Sequence, residues 1–117
     1  MKLQINGQQV RLRIDEEELQ KLSSGNALVA TTVLPAGASF GWQLRLHAGM
    51  EAHLASDDAG WRVDLPIAAV NAYVERLPCK QGLDFTLPTD SGTLLELVFE
   101  VDVRDSVRQR GAPSRRE

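Results

Sequence analysis

A chain of 117 residues, 43% hydrophobic and 25% charged, has room for one domain with a real core, and its composition is not that of a disordered polypeptide. No apolar run approaches a membrane span, and a net charge of −3 argues against a dedicated nucleic-acid binder. The one cysteine, Cys79, excludes an intramolecular disulfide and a zinc site built from several thiolates, which fits a reducing compartment. The chain alternates polar and apolar residues from its first position, without the continuous apolar segment of a secretory signal, so the expected location is cytoplasmic.

Residues 1–14 predict a β-hairpin, because Asn6-Gly7 between two alternating runs tolerates the positive φ of a two-residue turn. Pairing Ile5 with Gln8 sets Leu3 opposite Val10 and Met1 opposite Leu12, so Met1, Leu3, Ile5, Val10, Leu12 and Ile14 share a core face. Lys2, Gln4, Gln9, Arg11 and Arg13 then form a basic outer stripe, with Lys2 against Arg11. Asp15-Glu16-Glu17-Glu18 predicts a helix start, with Asp15 as N-cap and Glu18 closing a capping box; Gly25 supplies the left-handed stop.

Residues 27–34 read as a strand with apolar residues on both faces. Residues 40–47 alternate clearly, Phe40, Trp42, Leu44 and Leu46 against Gln43, Arg45 and His47. A weaker strand over 50–55, a turn at Asp57–Gly60 and the run Trp61–Leu65 predict a second hairpin. Pro66 then opens a second helix with Ile67, Val70, Val74 and Leu77 on one stripe. Strands follow over 83–87 and 94–103; in the last, Leu95, Leu97, Phe99, Val101 and Val103 face the core, and Glu96, Glu100 and Asp102 face away, with Arg104 just beyond. Residues 105–117 read as a disordered basic tail. No internal repeat is apparent. The expected class is α+β over residues 1–104: one mostly antiparallel, strongly twisted, open or partly closed sheet of six to eight strands, with two short helices on its apolar face.

The pattern Met1-Lys2-x-x-Ile5-x-Gly7, then Val10-Arg11-Leu12-Arg13-Ile14 and a capped helix, is similar to an uncharacterised family of small bacterial proteins that begin MK-x-R-I-x-G-N-S-I-R-L-R-L. The resemblance continues through Leu65-Pro66 to Leu97–Asp102, where family members carry V-E-K-D-F. Here Gln8-Gln9 replace the Asn-Ser, Val103 replaces the Phe, and the late Cys is missing. The resemblance implies a small bacterial domain of unknown function.

Two functional readings follow. In the first, the chain is a non-enzymatic binding or interaction module, a homodimer or partner of a small protein, with no cofactor and with Trp42 and Trp61 as interface aromatics. In the second, the chain is a metal-dependent phosphate-ester or polyphosphate-binding enzyme, in which Lys2, Arg11, Arg13 and Arg45 hold the anionic substrate while Glu100 and Asp102 hold Mg²⁺. Glu100-x-Asp102-x-Arg104 distantly resembles the E-x-E-x-K strand of triphosphate-tunnel enzymes, which opens those chains and closes this one. The simpler expectation for the same acids is that they offset Lys2, Arg11 and Arg13 across the sheet. His47 and His53 match no established ligand spacing, and no glycine-rich phosphate loop is present.

Overall fold

The hairpin forms, with its register moved by two residues. In the computed structural model, which describes residues 1–103, β1 (Lys2–Asn6) and β2 (Gln9–Asp15) pair Asn6 with Gln9, Ile5 with Val10, Leu3 with Leu12 and Lys2 with Arg13. The turn is therefore Gly7-Gln8 rather than Asn6-Gly7. Gly7 takes a φ of 59°, so the one glycine supplies the left-handed residue that the turn needs, and Asn6 completes the ladder instead. An even shift leaves side-chain parity intact: Val10, Leu12 and Ile14 are buried, and Lys2 faces Arg13 instead of Arg11; Ile5, expected on the core face, is instead 55% exposed near the tip of the edge strand.

Asp15 then caps α1 (Glu16–Ser23), its carboxylate accepting from the Glu18 N–H while Glu18 Oε1 accepts from the Asp15 N–H. The helix stops in a Schellman arrangement: the Gly25 N–H reaches the Leu22 carbonyl, the Asn26 N–H reaches Lys21, and Gly25 sits at φ 95°. β3 (Leu28–Val33), β4 (Ser39–His47), β5 (His53–Asp57) and β6 (Gly60–Pro66) follow, then α2 (Ile67–Glu75), β7 (Leu83–Pro88) and β8 (Leu94–Asp102). Pro66 is the N-cap of α2 rather than its first helical residue, and its inward face is built from Val70 and Tyr73, whereas Ile67 is exposed.

The strands form two four-stranded sheets, β1-β2-β8-β7 and β3-β4-β6-β5, in place of the single, mostly antiparallel sheet expected. Each joins two hairpins through one parallel central pair, β2 with β8 and β4 with β6. Hairpins are local and leave their mark in turn residues. A parallel pairing between strands some eighty residues apart leaves none, so only packing decides it.

The order also contains a repeat that the sequence conceals. β1-β2-α1-β3-β4 is followed by β5-β6-α2-β7-β8, with strand lengths of 5, 7, 6 and 9 residues in both halves. Lys2 maps onto His53, an offset of 51, and Leu28 onto Leu83, an offset of 55. Every register is shared as well: Arg13↔Glu100 in one sheet corresponds to Asp64↔Arg45 in the other. Each sheet therefore combines the first hairpin of one half with the second hairpin of the other half, so the halves are interleaved rather than side by side.

The inward faces of both sheets and both helices meet in one core, which includes Leu12, Ile14, Leu97 and Phe99 from one sheet, Leu44, Val63 and Leu65 from the other, and Leu22, Val70 and Tyr73 from the helices. Among the described residues, no helix is long and apolar enough to cross a membrane. Arg104 and the tail expected over 105–117 lie outside the described residues.

Candidate functional site

Because β2 lies between β1 and β8, its outward arginines sit between Lys2 and Gln4 on one side and the acids of β8 on the other. Glu100 takes both. Its Oε1 accepts from Arg13 Nε and Nη2 at 3.2 and 3.0 Å, and its Oε2 accepts from Arg11 Nη1 at 2.9 Å. The Glu100 side chain is 13% exposed, against 35% for Arg11 and 44% for Arg13, so the shared carboxylate is the least hydrated member of the cluster. Of the pairings expected between the acids of the last strand and the basic stripe, Glu100 thus makes those with Arg11 and Arg13, whereas Glu96 Oε1 is buried without a partner among the described residues. With both its oxygens turned to arginines, Glu100 stands apart from a carboxylate pair poised for a cation with Asp102. Among the described residues no group of three or more His, Cys, Asp or Glu side chains is placed to hold a metal ion.

Lys2, Arg11 and Arg13 line one groove of about 420 Å³ with Met1, Leu3, Gln4 and Trp42. Three cations therefore surround a space whose neighbouring counter-charge is the Glu100 carboxylate. Arg45 is not among them: it lies on the other sheet, with its Nε donating to Asp64 at 3.0 Å. His47 donates through Nε2 to the Glu51 carbonyl, 2.6 Å away, and accepts the Gly49 N–H at Nδ1, so both its nitrogens serve the connection between the halves.

Trp42 and Trp61 pair directly across β4 and β6 on the inward side and are partly buried with Phe40, whose ring meets Trp61 edge-on at 5.5 Å. They close the core at the hairpin-turn end rather than stand as a free aromatic surface. Exposed apolar residues lie elsewhere: Met50, Leu94, Ile5 and Ile67 stand singly, and one group lies together on β3. On the outer face of β3, Val29 is 70% and Val33 77% exposed, with Leu34 next in the chain.

β3 is an edge strand, and it differs from the other three edges in composition. β1 carries Lys2, β5 carries His53 and Asp57, and β7 carries Asp84 and Pro88, whereas Leu28–Val33 has neither a charge nor a proline. Charges and prolines are what keep edges from pairing with other strands. In sequence this run carries apolar residues on both faces, which does not tell the inward face from the outward. The usable signal was their outward spacing, Val29-x-Thr31-x-Val33, on a strand whose free side the sheet order decides.

Under α2, the Tyr73 hydroxyl accepts the Val101 N–H at 3.2 Å, two residues past Phe99, the last β8 residue that β7 pairs with. Burial of the phenol pushes its pKa above the ordinary tyrosine value.

Searches of curated proteins and of solved structures return no match. The model of a family of unknown function (DUF7009) matches residues 1–109, which include both sheets, both helices, the basic groove and the β3 edge. The chain therefore belongs to this family, as its opening residues led one to expect.

Proposed function

We propose that this protein is an interaction module that associates with a second copy of itself through the β3 edge. The observation that supports this is the unprotected edge: Val29 and Val33 stand exposed on a strand without charge or proline. Its outward pattern is also self-complementary. Antiparallel pairing of two β3 strands about Thr31 puts Val29 of each copy beside Val33 of the other, the isologous arrangement that a two-fold dimer requires. It would extend the sheet β3-β4-β6-β5 into a continuous eight-stranded one. Sedimentation velocity across a concentration series tests the reading. The expected result is a dimer for the natural chain and a monomer for Val29→Asp with Val33→Pro; a natural chain that stays monomeric at high concentration overturns it.

A second reading is favoured by the groove lined by Lys2, Arg11 and Arg13, where the two arginines share one carboxylate. Such a site suits a compact polyanion, such as pyrophosphate or triphosphate, bound with or without Mg²⁺. Thermal melting with each anion decides it. Ligand at one hundred times its Kd adds about 2.7 kcal/mol, and unchanged melting with either anion, with or without Mg²⁺, removes the reading.

A further inference from the structure

Each sheet is joined at its centre by an equivalent parallel seam, and each seam carries one directly opposed ion pair; the β2–β8 seam also sets Asp15 opposite Asp102 at its end. Arg13 on β2 faces Glu100 on β8, and Asp64 on β6 faces Arg45 on β4. Superimposing the halves turns Arg13 into Asp64 and Glu100 into Arg45, so the two pairs occupy the same place with their charges reversed. A duplicated fold faces a hazard here. The first half of one copy presents every strand needed to pair with the first half of another, in the register the second half normally occupies. That pairing would set β2 against β4 of the other copy and Arg13 directly opposite Arg45, with Arg11 one position away. Two second halves would likewise set Asp64 opposite Glu100.

We infer that Arg13, Arg45, Asp64 and Glu100 form a pairing code that makes each half select the other half and reject its own kind. The code resides in the native strand registers and the signs of these four charges, and it is independent of the β3 edge. Its value is greatest for the first half, which is synthesised first and whose misassembly would gather six arginines, two each of Arg11, Arg13 and Arg45. Like charges directly opposite one another on a ladder disfavour pairing, and opposite charges favour it.

The test reverses the sense of one seam and keeps an ion pair at each of the two opposed positions, although Glu100→Arg also takes from Arg11 its carboxylate partner, so the β4–β6 exchange is the cleaner of the two. Arg45→Asp with Asp64→Arg retains an ion pair between β4 and β6, and Arg13→Glu with Glu100→Arg retains one between β2 and β8. Either double variant makes like halves complementary. All four substitutions together restore the natural rule with every sign inverted. Each full-length variant is refolded from denaturant at a series of protein concentrations in low salt, in a Val29→Asp background that disables the β3 edge. Dimer that persists on dilution is measured by light scattering. Either double variant is expected to yield roughly tenfold more persistent dimer than the natural charges, and the fourfold variant to return to the natural level. The inference is overturned if neither double variant raises the dimer, or if the fourfold variant forms at least as much dimer as the doubles, because the effect would then follow the number of substitutions and not the pairing rule.

Discussion

The first half of the chain and the second fold alike while sharing few residues. At equivalent positions the same side chain recurs at Leu3 and Leu54, Arg11 and Arg62, Leu28 and Leu83, Thr31 and Thr86, and Gly37 and Gly92. Elsewhere what is retained is parity: Leu12 answers Val63, Ile14 answers Leu65, Leu44 answers Phe99, and all six are buried. A core accepts such exchanges while inward volume and alternation are kept, so a structural repeat needs few shared residues. The differences are more instructive than the likenesses. β3 has Val29 and Val33 where its counterpart β7 has Asp84 and Pro88; the seam ion pairs are reversed in sign; and α2 places Tyr73 where α1 has Leu22. Each sets one half apart from the other at an edge, a seam or a strand end.

Exchanging residues between the halves breaks or sharpens this comparison. The largest effect is expected at Tyr73, whose replacement by the leucine of the first half leaves a cavity under α2 and an unpaired Val101 N–H. Tyr73→Leu should cost about 3 kcal/mol in denaturant unfolding, whereas Leu22→Met, a volume-conserving change at the equivalent place, should cost less than about 1.5 kcal/mol. The same tyrosine makes the second half sensitive to alkali. Its folded pKa is raised, so the stability it contributes is complete below the unfolded value near 10 and is lost as pH rises toward the folded value. Unfolding midpoints followed from pH 8 to 11 should fall for the natural chain and fall less for Tyr73→Phe.

Next come the seams. Glu100→Gln removes the charge shared by two arginines, whereas Asp64→Asn unpairs Arg45 alone. Both act through partners that are more than a third exposed, so the expected losses are about 1 and about 0.5 kcal/mol, each diminishing with added salt. Equal losses would mean that the arginine pair on Glu100 adds nothing beyond a single contact. The smallest effect on stability belongs to Val29→Asp, which copies β7 into β3. Unfolding should change by no more than about 0.5 kcal/mol, while self-association measured by sedimentation should disappear. A large loss of monomer stability would show that Val29 serves the fold and not an interface.

Much of the local structure was legible in advance. Asp15 and Glu18 announced α1, Gly25 its end, and the alternation of Leu95 to Val101 the inward face of β8. The basic stripe was legible as a face, since parity places Lys2, Arg11 and Arg13 together whatever the partner strand. Arg45 could not be excluded from that group, because nothing in its own strand tells which sheet it will join. The hairpin register went astray because Asn6-Gly7 and Gly7-Gln8 are both acceptable turns around the same glycine. The choice rests on the long-range pairing of Gln9 with Glu96 and the rest of β8.

By itself, the amino-acid sequence determined the inward alternation of β2, β4 and β8, the capped start and glycine stop of α1, and a bend around Gly7, because side-chain alternation, capping and turn chemistry act over a few residues. Only the tertiary structure decided that eight strands divide into two sheets, that the halves interleave, that Glu100 meets both arginines, and that β3 is left as an edge. Those outcomes depend on contacts between distant segments, whose free energy belongs to the packed core as a whole and to no local stretch of the chain.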